Sequence, residues 1–181
     1  MKKIIHLLIV TCSITLTGFS QIVLKKVVLP GNKIEMDVPN GFLEMTPQMK
    51  EVKYPSGSNR PHWIAKDATG KVILEYSLTP IKMDDNGIPG YTDQLLAEMK
   101  APGNDKTYID DGIFLQDGKN IGYLKFITQV EGKKNFNFLF YLNVDNRLAV
   151  FNFTTLKKWR KKWEKKVEEM ANSIRLKAEL K

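Results

Sequence analysis

Leu156-Lys157-Lys158-Trp159-Arg160-Lys161-Lys162-Trp163-Glu164-Lys165-Lys166-Val167-Glu168-Glu169-Met170-Ala171-Asn172-Ser173-Ile174 is the stretch on which the fold turns. Trp159, Trp163, Val167, Met170 and Ile174 are spaced by four, four, three and four, so at about 100° per residue they share a narrow arc of one helix. The spacing predicts a helix over 156–174, with Thr154 or Thr155 as its N-cap. A stripe of this kind has to cover something apolar. The opposite side is charged: residues 157–166 hold seven basic residues against one acidic, a net +6. Cations at a helix start oppose its dipole by about 0.3–1 kcal/mol each before screening. Arg160 with Glu164 and Lys165 with Glu169 also run in the less favourable order. Local propensity is overridden here, as it often is at functional surfaces.

What the helix covers is a run of strands. Segments 107–115, 120–130, 135–144 and 147–155 are predicted strands, joined by Gln116-Asp117-Gly118-Lys119, Glu131-Gly132-Lys133-Lys134 and Asp145-Asn146, which have hairpin-turn composition. In the third, Phe136, Phe138, Phe140, Leu142 and Val144 share a face, and Asn135, Asn137, Leu139, Tyr141 and Asn143 share the other. One face is therefore core and the other partly covered. Upstream, 91–100 is a predicted helix with Tyr91, Leu95, Leu96 and Met99 on one side. Residues 80–89 form a polar connection, and 63–66 with 71–79 form a hairpin around Asp67-Ala68-Thr69-Gly70. Residues 54–61 are a loop by composition, 45–52 hold a helical turn or two, and strands 22–29 and 33–38 flank Pro30-Gly31-Asn32. This order predicts an α+β fold: an antiparallel sheet flanked by helices on both faces and closed by a long C-terminal helix. The absence of a βαβ rhythm argues against a parallel nucleotide-binding sheet.

Residues 1–20 have the pattern of a secretory signal peptide. Lys2 and Lys3 precede an apolar run from Ile4 to Thr17, and Gly18-Phe19-Ser20 supplies small residues for cleavage before Gln21. The run is short of the roughly 20 apolar residues a membrane-spanning helix needs, and no later segment approaches that length. Cys12, after Ile9-Val10-Thr11, offers the alternative of a lipid-anchored lipoprotein, which the threonine fits poorly. The expected product is one exported domain, 21–181, periplasmic or extracellular. Cys12 is the single cysteine, so that domain has neither disulfide nor thiolate chemistry. Losing Lys2 and Lys3 lowers the formal charge of +8 to +6, so the stretch 157–166 alone matches the entire excess.

No constellation in the sequence names a reaction. His62 is the one histidine after the leader, too few for a Ser-His-Asp relay or, without cysteines, for zinc. Asp84-Asp85-Asn86-Gly87 and Asp110-Asp111-Gly112 lack calcium-loop spacing and are expected to serve as turns. Neither glycine-rich phosphate motif occurs. No catalytic residue, metal or cofactor is expected, and a carboxylate-dependent hydrolase would need two or more acids converging in a cleft.

Two stretches carry a family likeness. Met36-Asp37-Val38-Pro39-Asn40-Gly41-Phe42 and Ala149-Val150-Phe151-Asn152-Phe153-Thr154, the latter feeding a helix with Trp159, Trp163 and Ser173-Ile174, resemble the N-terminal and closing elements of the PsbP-like family. That family includes photosystem II extrinsic subunits, a yeast protein that binds the Ran GTPase, and small bacterial exported proteins. Spanning roughly 34–176, the resemblance implies an antiparallel sheet sandwiched by helices and a binding or accessory role without catalytic residues.

The expected function is thus a non-enzymatic exported binding or accessory module of the bacterial cell envelope. Lys158, Arg160, Lys161, Lys162 and Lys165 would contact an anionic partner, whether an acidic protein, a polyanionic glycan or lipid headgroups. Nucleic acid is not expected outside the cytoplasm. A plain solvated face over a tryptophan core and direct membrane adsorption through the indoles are the competing readings of the helix. The alternative function is a carrier holding a small apolar ligand between sheet and helix, lined by Phe136, Phe138, Phe140 and Trp163.

Overall fold

The computed structural model describes residues 22–31, 33–55 and 60–177. The expected signal peptide, Cys12 and residues 56–59 of the expected loop lie outside the described residues. Ten strands and three α-helices follow in the order β1 (Leu24–Val28), β2 (Ile34–Pro39), β3 (Leu43–Glu44), α1 (Pro47–Lys53), β4 (Trp63–Lys66), β5 (Val72–Lys82), α2 (Gly87–Lys100), β6 (Thr107–Gln116), β7 (Lys119–Val130), β8 (Lys133–Val144), β9 (Arg147–Leu156), α3 (Arg160–Asn172) and β10 (Arg175–Leu176). A 3-10 turn, Lys157–Trp159, joins β9 to α3.

Seven strands form one antiparallel sheet in the order β3-β4-β5-β9-β8-β7-β6. Its long hairpins are fixed by turns whose central residues take positive φ: Asp117-Gly118, Glu131-Gly132 and Asp145-Asn146. Two such residues give the mirror-image turn that matches strand twist. Asp145 and Asn146 achieve it without glycine, because short polar side chains tolerate the left-handed region.

One face of this sheet presents Phe136, Phe138, Phe140, Leu142, Val144, Leu74, Phe151 and Phe153, all buried. Against it lie Trp163, Val167, Met170 and Ala171 of α3 and Ile34, Met36 and Val38 of β2, completing the main core. On the other face α2 seats Ile88 over Tyr141 and Leu148, with Tyr91 and Leu95 beside them. The fold is α+β with helices on both faces of an antiparallel sheet. A second sheet, β1-β2-β10, joins α3 on the core side.

Several local expectations are corrected. Thr154 and Thr155 do not cap the closing helix; both belong to β9. Thr154 donates its hydroxyl to Asn137 across the sheet at 3.0 Å. α3 therefore starts only at Arg160, with no side-chain cap. α2 starts at Gly87 rather than at residue 91, with Pro89 in its first turn, where a missing N–H is tolerated. β5 runs on to Lys82 through an irregularity between Leu78 and Lys82 that accommodates Pro80. Strands β3 and β10 are too short to leave a periodic signal.

α2 is tied down by a buried hydroxyl chain. Tyr141 donates to Thr92 Oγ1 at 2.8 Å, and Thr92 donates to the Ile88 carbonyl at 2.9 Å. Burial pushes the Tyr141 phenol up to about 12, so it serves as a neutral donor. The strand beneath has to be bare: a Cβ on Gly122 would lie 2.8 Å from Thr92 Oγ1 and closer still to the Tyr141 ring. Gly122→Ala is expected to destabilise the fold by about 1–3 kcal/mol through overpacking. Urea denaturation checks it, and a neutral result would mean that α2 floats on the sheet.

Candidate functional site

The basic surface rests on how α3 is oriented. Trp163 is 7% exposed, its ring 5.5 Å from Phe153 and 5.9 Å from Phe42. Val167, Met170 and Ala171 continue the buried stripe and Ile174 ends it. Trp159, in the 3-10 turn, packs half-buried against the same core. Trp163 is thus enclosed by the core, and Trp159 stays partly accessible.

The stripe has two unlike flanks. Glu164 and Glu168 turn toward the sheet, where Lys125 of β7 sends a buried ammonium to Glu168 (2.7 Å), Asp110 (3.1 Å) and Glu164 (3.5 Å). The same Nζ lies 5.2 Å from the ring centres of Tyr123 and Phe138. Burial alone would lower the Lys125 pKa, but hydrogen bonds to Glu168 and Asp110 outweigh it and hold it above the ordinary 10.5. Burial would raise the Glu164 carboxyl, yet Arg160 and Lys125 hold it below 4.5.

Acids do converge here, beside a cleft of about 210 Å³ lined by Phe114, Tyr123, Lys125, Phe138, Glu168 and Asn172. They converge on an ammonium group, and Glu164, whose carboxyl is held low, is the reverse of what a general acid requires. The cluster acts as a clamp from helix to sheet.

The expected contact residues separate into two groups. Lys158, Lys161, Lys162 and Lys165 are exposed, and among the described residues none of them meets a carboxylate. Lys158 and Lys162 each sit 5.9 Å from the ring centre of the tryptophan that follows. Arg160 stands apart. Glu164 accepts from its Nε at 2.7 Å and from its Nη2 at 3.1 Å, and the guanidinium lies 5.6 Å from the Phe136 ring centre. It is held inward, its charge largely answered. Glu169 pairs with Lys166 instead of Lys165.

Three lysines missed by the sequence reading join this surface. Lys71, Lys133 and Lys134 line an open groove of about 800 Å³ together with Leu156, Lys157 and Lys158. Register brings them together: Val72 lies opposite Thr155, Asn135 opposite Leu156, and Lys133 opposite Val130. Their local signal was a lysine after a turn glycine, which says nothing about which turns share an end of the sheet.

The other sequence candidates have local roles. His62 Nδ1 accepts the Leu78 N–H at 3.3 Å. Asp84 accepts the Gly87 N–H at 2.7 Å, and Asp85 accepts the Asn120 N–H at 3.0 Å. Asp110 and Asp111 lie in β6, not in a turn, next to a register shift. Among the described residues no group of three or more His, Cys, Asp or Glu side chains is arranged to hold a metal, and no helix is long and apolar enough to cross a membrane. Phe136, Phe138, Phe140 and Trp163, proposed to line a carrier cavity, pack within the core: Phe140 stacks on Phe151 at 4.8 Å and meets Phe138 at 5.7 Å. Of the four, Phe138 also borders the cleft of about 210 Å³ beside α3.

No protein-family model matches the sequence, and no curated protein matches it significantly. Solved structures do. The solution structure of cyanobacterial PsbP (CyanoP) from Synechocystis sp. PCC 6803 superposes with a TM-score of 0.61 at 13% identity, covering 88% of this chain and 96% of that one. A crystal structure from Bacteroides thetaiotaomicron gives 0.56 at 17% identity over 87% of this chain and 50% of the other. LpqN, described as involved in cell envelope biogenesis of Mycobacterium tuberculosis, gives 0.50 at 12% identity over 86% and 91%. The fold is PsbP-like.

The clamp makes a signed prediction. The depressed Glu164 contributes stability above its unfolded pKa near 4.5, lost as pH falls through the folded value. The raised Lys125 contributes below 10.5 and loses it as pH rises through its folded value. Lys125→Met is expected to cost about 1–3 kcal/mol at neutral pH, discounted for the partial exposure of the carboxylates. It should also flatten the acid and alkaline limbs of a denaturation series. Unchanged limbs would show that the cluster holds nothing.

Proposed function

We propose that this chain is a non-enzymatic, exported accessory module of the cell envelope that docks on an anionic partner through the outer side of α3. One observation carries the reading: Lys158, Lys161, Lys162 and Lys165 stand exposed on one surface without a carboxylate partner among the described residues. Two of the three acids of the same helix, Glu164 and Glu168, are meanwhile drawn away to Lys125, and the third, Glu169, pairs with Lys166. Separating the signs in this way raises the positive potential of the outer surface above that of a mixed one. The envelope role described for LpqN and the export pattern of residues 1–20 support the compartment.

Long-range attraction between exposed charges governs encounter and is screened beyond roughly 8 Å at physiological salt. Docking of this kind is therefore salt-sensitive. The variant Lys161→Glu, Lys162→Glu, Lys165→Glu places acids in the first half of α3, which suits the helix dipole but adds like-charge neighbours to Glu164, Glu168 and Glu169. A circular dichroism melt matching the unaltered protein is therefore required alongside to exclude unfolding. Its retention on isolated envelope fractions is expected to fall at least about tenfold, with the salt dependence largely gone. Retention equal to that of the unaltered protein at every salt concentration would reduce the lysines to solubilising surface.

A further inference from the structure

We infer that the lysine groove at the start of the closing helix is a seat for the phosphate headgroup of an anionic membrane lipid; this rests on reading the basic surface as a docking surface and names its partner. Lys71 follows the β4–β5 turn, Lys133 and Lys134 follow the β7–β8 turn, and Lys157 and Lys158 follow β9. Three separate segments thus bring five lysines to the lining of one opening of about 800 Å³. Among the described residues, none of the five is in an ion pair. The carboxylate of the β4–β5 turn, Asp67, is engaged by its own turn, accepting from the Thr69 hydroxyl at 2.7 Å and from the N–H groups of Lys71 and Val72 at 2.9 and 3.1 Å. Like charges gathered on one opening raise the local positive potential and favour an arriving counter-charge.

The composition of the groove selects among anions. All five charged residues are lysines. Their point charges on flexible stems suit the rounded charge of a phosphate, whereas planar bidentate recognition of carboxylates favours arginine. None of the residues lining the groove is aromatic, so the stacking surface that a nucleobase would use is missing. The walls are mainly aliphatic, formed by Leu156 and the lysine stems. Such walls suit a ligand whose charge is followed by hydrocarbon, and suit a sulfated glycan poorly. A phospholipid supplies both parts, with its acyl chains remaining in the bilayer while the groove receives the headgroup.

Flotation with phosphatidylcholine vesicles, with and without phosphatidylglycerol, tests this directly. The protein should bind only the anionic vesicles. Lys71→Ser, Lys133→Ser, Lys134→Ser, all outside α3, should weaken that binding about a hundredfold, at about fivefold per lysine near a charged surface. A circular dichroism melt matching the unaltered protein excludes misfolding as the cause. Equal binding by the variant, or no preference for phosphatidylglycerol, overturns the proposal. Equal binding to vesicles charged to the same extent with oleate would show charge sensing without headgroup recognition, and overturns it too. Competition by millimolar inorganic phosphate would reassign the groove to free phosphate. If the α3 variant loses envelope retention while the groove variant still binds phosphatidylglycerol normally, the lipid seat fails and the docking surface stands. If vesicle binding depends on the groove while envelope retention survives the α3 substitutions, the lipid seat stands and docking through α3 fails.

Discussion

The Trp163 indole, wedged between Phe42 and Phe153, is the contact on which the rest of the molecule depends. α3 has no side-chain cap and no acid in its first turn, so it owes its stability to tertiary burial far more than to its own propensity. Once the indole and the row Val167, Met170, Ala171 are inside, the rotation of the helix about its axis is fixed. Glu164 and Glu168 then reach Lys125, and the lysines are left outside. The small sheet needs the same placement. Ser173, just past the helix, accepts the Asp37 N–H of β2 at 2.8 Å, and β10 follows on to pair with β2.

The parts of the fold that could be read from sequence were those with a long period. The four-four-three-four spacing and the alternation of Phe136, Phe138 and Phe140 survive any choice of neighbour, and both face the core in the structure, although the α-helix itself spans only Arg160–Asn172, with Trp159 in the 3-10 turn before it and Ile174 just beyond it. Boundaries set by a single tertiary contact did not show. Thr154 looks like a helix cap until Asn137 is seen opposite it. The start of α2 is hidden behind Pro89, whose missing N–H is harmless in a first turn. β10 is two residues long and exists because β2 offers an open edge.

The candidate surface was legible in charge and not in partnership. Counting residues 157–166 finds the lysines, but it cannot tell Arg160, engaged by Glu164, from Lys161, which is exposed. Nor can it find Lys71, Lys133 and Lys134, since membership of the groove is a property of strand register. The buried Lys125 was equally silent: a lysine in a strand reads as an outward-facing residue until three carboxylates from two other elements are placed around it.

β2 lies between β1 and β10, the first and last described strands. β1 immediately precedes β2 in the chain, whereas β10 follows only after the large sheet and α3. The serine that bonds Asp37 stands 136 residues further along the chain. Contacts this distant in sequence form late and slow the search for the native state. Two of the three strands of the small sheet are neighbours in the chain and the third follows α3, so the edge of β2 stays open until the closing helix has packed on the large sheet.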